Sequence, residues 1–210
     1  MNNKNRRNFL KKSLIGGSVV ISPAVISAVV TPPEIEGPFY PITAQKDKDF
    51  DLTQIKGHDH AALGEVVTIR GRVVNTEDEV IEDATVDIWQ ANAAGRYSHP
   101  HDENPAPLDP NFQGWAIVQS GQKGGFKFKT IVPGEYPVSK EWTRPPHIHF
   151  KVSKNGYEEV VTQMYFPDHK LNQVDNLLQG KSAAEQKMMI AQSDTNEPGT
   201  LTFNIVLKAI

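Results

Sequence analysis

The 210-residue chain contains no cysteine. That one absence excludes disulfides, thiolate-ligated zinc, iron–sulfur clusters and thiol nucleophiles together. Any metal must therefore be held by nitrogen and oxygen. Helical periodicity is also sparse, while glycine and proline each number 15, a balance that favours a loop-rich β protein over a helical one. Basic side chains are scarce outside the N-terminus. Residues 1–30 hold Lys4, Arg6, Arg7, Lys11 and Lys12 and no acid, so the remaining 17 basic residues face 25 acidic ones, a net of about −8. Such a body repels nucleic acid and anionic membranes, and no basic stripe offsets it.

The N-terminus reads as an address. Arg6-Arg7-Asn8-Phe9-Leu10-Lys11 is followed by an uncharged stretch at 13–30 that is only mildly apolar and is broken by Gly16, Gly17, Ser18 and Pro23. The paired arginines resemble the twin-arginine export signal of bacteria, a route for proteins that are already folded. The broken apolar stretch suits a cleaved signal better than a stable membrane span. The expectation is a signal segment at 1–30, with Ala28 a candidate last residue, ahead of an exported domain at 31–210 in the periplasm or outside the cell.

Residues 31–63 are expected to be irregular, because Pro32, Pro33, Pro38 and Pro41 interrupt any regular element. Beyond them, strand-like runs fall at 66–74, 84–90, 115–119, 126–130, 147–153, 160–166 and 201–207. They are rich in β-branched and aromatic residues and are separated by turn residues. The expected fold is mainly β: a single antiparallel β-sandwich with long loops and one or two short helices, at 172–178 and 183–192.

The most informative segment is Arg144-Pro145-Pro146-His147-Ile148-His149-Phe150. Residues two apart on a strand share a face, so His147 and His149 can bind one ion while Ile148 and Phe150 face the core. Neutral imidazole accepts zinc, copper, iron and nickel alike, and the pair does not select among them. A polar solvent-facing stripe is the plainer reading of the same pattern. His58 with His60 and His99 with His101 occupy loop-like segments, with His99 two residues from Tyr97.

Six segments in order, Glu36-Gly37-Pro38-Phe39-Tyr40, Asp87-Ile88-Trp89-Gln90 with Gly95-Arg96-Tyr97, Leu108-Asp109-Pro110-Asn111-Phe112, Pro133-Gly134-Glu135-Tyr136-Pro137, the His147 segment and Thr162-Gln163-Met164-Tyr165-Phe166, resemble the intradiol ring-cleavage dioxygenases, in particular the metal-bearing subunit of protocatechuate 3,4-dioxygenase. The resemblance implies Fe(III) held by Tyr97, Tyr136, His147 and His149, with Arg144 facing the substrate ring and Gln163 beside the ligands. It also implies cleavage of a catechol-type ring between its hydroxyls by O2 to give a muconate-type diacid. Two phenolates reduce the +3 of iron to +1, and a hydroxide brings the site to neutrality. As the resemblance implies, Tyr136 and that hydroxide are expected to take the two catechol protons, which would make Tyr136 ligand and general base in turn.

The sequence departs from the family after Tyr136, where Val138 stands in place of a frequent aromatic and the segment before Trp142 is short. Both changes bear on the substrate. The family also includes assemblies in which a partner subunit completes the pocket, so a homo- or hetero-oligomer is open. Two other readings remain at this point. One is a different metalloenzyme, with a third histidine completing the His147–His149 pair; the other is an exported β-sandwich binding module without ring-cleavage activity.

Overall fold

The computed structural model describes residues 28–43, 47 and 49–210; the expected signal segment lies outside them apart from its last three residues. The strands are β1 (Val66–Asn75), β2 (Thr85–Trp89), β3 (Trp115–Gln119), β4 (Gly125–Ile131), β5 (Tyr136–Pro137), β6 (Thr143–Arg144), β7 (His147–Ser153), β8 (Val160–Tyr165), β9 (Gln192–Ser193), β10 (Thr200–Thr202) and β11 (Ile205–Leu207). Two short helices, α1 (Asn176–Gln179) and α2 (Ala183–Met189), follow β8.

Two sheets face each other. One has the order β3-β2-β7-β8, with every pairing antiparallel. In the other, β1 pairs antiparallel with β4 but parallel with both β10 and β11. The expected sandwich is present, with one mixed sheet in place of a wholly antiparallel pair. The run expected at 201–207 divides because Phe203 and Asn204 leave the ladder. The Phe203 amide donates to the Arg70 carbonyl, and the Asn204 side-chain oxygen accepts from the Arg72 amide. Gly71 permits this approach, since a Cβ there would lie 1.8 Å from the Phe203 carbonyl oxygen.

Strand alternation builds the core. Val67, Ile69, Phe126 and Phe128 from one sheet meet Val86, Ile88, Ile148, Phe150, Val152 and Met164 from the other, all buried. Each such side chain contributes roughly 1.5–3 kcal/mol relative to exposure. The same period of two sends Trp89, His147, His149, Gln163 and Tyr165 to the opposite face of the second sheet. There they are held in register: Trp89 opposite His149, His149 opposite Gln163, and His147 opposite Tyr165.

Loops cover that outer face. Among the described residues before β1 there is no helix and no strand longer than a single bridge, as the prolines predict. This segment is pinned by backbone bonds, including the Glu34 amide to the Val161 carbonyl and the Thr31 amide to the Val206 carbonyl. The helix expected at 172–178 is broken at Asp175, whose backbone is extended and whose carboxylate caps α1 through the Leu178 amide. The second helix ends at Met189, and Ala191 then bonds to the Tyr165 carbonyl.

Candidate metal centre

Three heteroatoms converge on the outer face of the second sheet. The Tyr97 hydroxyl lies 3.3 Å from Nε2 of His147 and 3.1 Å from Nε2 of His149. All three side chains are buried. The Nδ1–H of His147 donates to the Pro145 carbonyl at 2.7 Å. A carbonyl can only accept, so the proton sits on Nδ1 and the Nε2 lone pair points at Tyr97. Two imidazole nitrogens that each lie within 3.3 Å of one phenolic oxygen form a compact N/O donor set that suits a shared cation.

Burial sets the protonation states. Desolvation, followed by the charge of Arg144, pushes the His147 imidazole down to about 3. Desolvation likewise holds His149 well below its ordinary value, with the neighbouring His147 and Arg144 adding to the effect. Both rings are neutral at pH 7, the form that binds metal. The same burial pushes the Tyr97 phenol up, against the opposing pull of Arg144. Without a cation, Tyr97 keeps its proton.

Tyr97 is placed by a tight turn. The Asn92 side-chain oxygen accepts from the Ala94 and Arg96 amides, and the buried Asp102 carboxylate accepts from the Tyr97 amide at 2.7 Å. Gly95 has φ +79°, and a Cβ there would meet the Glu135 carbonyl oxygen at 2.1 Å. The turn carrying Tyr97 therefore presses on the residue that precedes Tyr136. The Tyr136 ring stands edge-on to Tyr97 with centroids 5.9 Å apart, and Phe39 packs against both. Tyr136 is only half-buried; desolvation and then the charge of Asp102 push its phenol up, against the opposing pull of Arg144.

Tyr136 and Arg144 face each other across the β5–β6 hairpin. The hairpin is tight: the Val138 and Ser139 amides both donate to the Trp142 carbonyl, and Val138 is exposed beside Tyr136. Arg144 is buried and donates from Nη2 to the Gln163 side-chain oxygen and to the Tyr165 hydroxyl, each at 2.7 Å. The Gln163 amide in turn donates to the Ile35 carbonyl. The structure thus brings Tyr97, His147 and His149 into direct contact, with Tyr136 beside Tyr97 and Arg144 and Gln163 bonded to each other.

Two supporting residues are not among the expected site residues. Trp89 stacks on His149 at 4.8 Å with the rings 9° from parallel, and Nδ1 of His149 has no hydrogen-bond partner. Ring stacking takes the orienting role that a hydrogen bond takes at His147. The other is Asp175, which binds Arg144 from beyond the strand motif.

The remaining histidines do not join this group. His58 bonds to Asn111, and His169 caps its own short helical turn and approaches Glu135. His99 and His101 pack on each other, and His99 lies 5.6 Å from the Phe39 ring, at the edge of the site. Among the described residues no three His, Cys, Asp or Glu side chains gather to hold a metal. A third histidine therefore does not complete the pair; the donor beside the two imidazoles is phenolic. A cavity of about 310 Å³ abuts Phe39, Trp89 and Tyr97 but includes neither histidine, so it flanks the centre without forming it.

Comparison with known proteins bears on this geometry. The family model Dioxygenase_C, described as Dioxygenase, matches residues 35–209. The chain is 39% identical over 169 residues to the protocatechuate 3,4-dioxygenase beta chain of Burkholderia cepacia, covering 76% of this chain and 72% of that one. It is 33% identical over 152 residues to the chlorocatechol 1,2-dioxygenase of Cupriavidus pinatubonensis, covering 64% of this chain and 54% of that relative, about half its length. The fold is similar to the dioxygenase domain of a dioxygenase carbohydrate-binding protein fusion from Streptomyces sp. SirexAA-E, with a TM-score of 0.66, 26% identity, and 87% of this chain and 100% of that one covered. Since the family match spans both sheets and every residue of the convergent site, the chain belongs to the intradiol dioxygenase family.

Proposed function

We propose that the protein is an intradiol dioxygenase that cleaves a catechol-type ring between its two hydroxyls with O2, giving a muconate-type diacid, and that Tyr97, Tyr136, His147 and His149 hold Fe(III). The carrying observation is the approach of the Tyr97 oxygen to both imidazole Nε2 atoms, in a chain of this family. The donor set fits a trivalent ion. Two buried neutral imidazoles supply the nitrogen ligands, and two phenols that burial makes reluctant to ionise require a strongly acidic cation to become phenolates. Bound ferric iron supplies that acidity and the electron transfer that opens a catecholate to O2.

The protein's own groups do the rest. Tyr97, fixed by Asp102 and the turn at Gly95, stays as the permanent phenolic donor. Tyr136 is the more exposed of the two and is carried on a two-residue strand, so it is the one free to swing and to accept a proton from an incoming catechol hydroxyl. Arg144 places positive charge beside the pair and stabilises negative charge developing on the substrate oxygens. Gln163 orients Arg144 through its side-chain oxygen.

On the substrate side, the exposed Val138 stands two residues after Tyr136 where the family often has an aromatic, and the smaller side chain leaves room for a larger or differently substituted ring. The deciding experiment is oxygen uptake by iron-loaded protein across a panel of catechols with product identification. Muconate-type products support the reading; cleavage beside the hydroxyls, or no uptake with any catechol, refutes it. We further infer export by the twin-arginine route from Arg6 and Arg7, to the periplasm or beyond. Export of the folded protein should stop when both become lysine, and unchanged export would rule this route out. Assembly with further copies or with a partner subunit is consistent with the name of the beta-chain relative.

A further inference from the structure

Asp175 has no solvent exposure, and its carboxylate gathers five donors. Oδ1 accepts from Nε of Arg144 at 2.9 Å and from Nε1 of Trp142 at 3.2 Å. Oδ2 accepts from Nη2 of Arg144 at 3.2 Å, from the Tyr165 hydroxyl at 3.0 Å and from the Leu178 amide at 3.2 Å. The last of these caps α1, so the start of α1 and the arginine of the site share one buried anion.

Geometry leaves Arg144 little freedom. Its guanidinium carbon lies 5.7 Å from the Trp142 ring centroid and 5.8 Å from that of Tyr165, and Asp175 holds it on two nitrogens. Nη2 is thereby directed to the oxygen of Gln163. A buried guanidinium without a counter-charge is strongly disfavoured, so the pair both stabilises the charge and fixes where it points. The field of Arg144 reaches the whole centre, lowering the proton affinity of Tyr97, Tyr136, His147 and His149. The position of that charge relative to the phenols is consequently set from a helix cap 31 residues downstream of Arg144.

We propose that Asp175 is a positioning residue for the ring-cleavage reaction, acting through Arg144 by holding the guanidinium at the reach and orientation that serve the substrate. The proposal rests on the dioxygenase reading of the site. Asp175 touches none of the four residues expected to hold the metal, and its bonds into the site run to Arg144 and to the Tyr165 hydroxyl that Arg144 also meets.

The test uses Asp175→Asn and Asp175→Ser. Both Asn and Ser also cap helices well, so neither removes the α1 cap, while each removes the charge that binds Arg144. The first readout needs no metal and no turnover. In two-dimensional proton–nitrogen NMR of the full chain, the Arg144 Nε–H, assigned by its loss in Arg144→Lys, should be protected from exchange in the wild type and unprotected in Asp175→Ser. The second is a double-mutant cycle on the iron-loaded protein with Arg144→Gln. Asp175→Asn should lower kcat by on the order of 100-fold with a smaller change in KM, the scale of a displacement of about 1 Å in a positioned group. In the Arg144→Gln background the same change should cause no further loss.

Retention of the protected Nε–H signal in Asp175→Ser, whose shorter side chain offers no carboxyl or carboxamide oxygen to Nε, would overturn the proposal whatever the protein's activity. So would a kcat loss that multiplies with that of Arg144→Gln, which marks a role independent of the arginine. A wild type that consumes no oxygen with any catechol refutes the dioxygenase reading instead and leaves the NMR result to decide whether Asp175 positions Arg144.

Discussion

Replacing Gly95 with alanine tests whether two loops must touch for the two tyrosines to share a centre. Gly95 sits two residues before Tyr97 with φ +79°, and an added Cβ would lie 2.1 Å from the Glu135 carbonyl oxygen, the residue before Tyr136. Ordinary contact begins near 3.4 Å, so the two segments must part by about 1.3 Å. Neither partner is a flexible side chain, so the displacement passes into the backbone that carries Tyr97 and Tyr136. The left-handed conformation adds roughly 1–2 kcal/mol for a non-glycine residue. A displacement of about 1 Å in a positioned catalytic group costs on the order of 100-fold in rate. Gly95→Ala should therefore unfold at lower denaturant, by about 2–3 kcal/mol in total if the clash adds to the strain, and the protein that remains folded should turn over roughly 100-fold more slowly. Equilibrium denaturation and steady-state oxygen uptake measure the two effects separately. A Gly95→Ala protein with wild-type stability and turnover would refute the claim that this contact sets the spacing of the tyrosines.

Two other perturbations have defined outcomes. Trp89→Leu removes the ring stacked on His149, whose Nδ1 has no hydrogen bond to replace it; iron affinity by chelator competition should fall about 10–100-fold, and Trp89→Phe should restore part of it. The metal-free protein should lose stability as pH falls below about 6.5. In the folded state His147 takes up a proton only near pH 3 and His149 only well below its ordinary value, so as pH falls below 6.5 the unfolded chain binds more protons and each histidine costs about 1.4 kcal/mol per pH unit. Denaturation of metal-free protein at pH 5.5 should show about 2–3 kcal/mol less stability than at pH 7.5 from this pair, and His147→Gln should remove roughly half of the difference.

Much of this arrangement is readable from residue order. The alternation of His147 and His149 with Ile148 and Phe150 places two imidazoles on one face and two apolar side chains on the other, and β7 has that form at the expected bounds. The strand at 115–119 is likewise where its pattern puts it. Periodicity does not specify strand partners, so the parallel pairing of β1 with β10 and β11 had no local signal. The break at Phe203 and Asn204 depends on Gly71 in a distant strand, and no window around 201–207 contains that information.

The site divides in the same way. Tyr97 and Tyr136 are legible only through resemblance, because a tyrosine in a loop is by itself ordinary packing; the turn at Gly95 and the Asp102 bond that aim Tyr97 are tertiary facts. Asp175 was placed inside an expected helix at 172–178, although an aspartate three residues before Leu178 is a good cap, and its buried pairing with Arg144 follows only from the fold. Trp89 had a strand position in the sequence but no sign that its ring would lie flat on His149.

The optical spectrum of the iron-loaded protein, wild type against Tyr97→Phe, puts the central claim to its most direct trial. Tyr97 as a phenolate donor to Fe(III) predicts a visible phenolate-to-iron band in the wild type that is lost or strongly weakened, together with most of the bound iron, in Tyr97→Phe. An iron-loaded wild type with no such band, or a Tyr97→Phe protein with unchanged band and iron content, would contradict it.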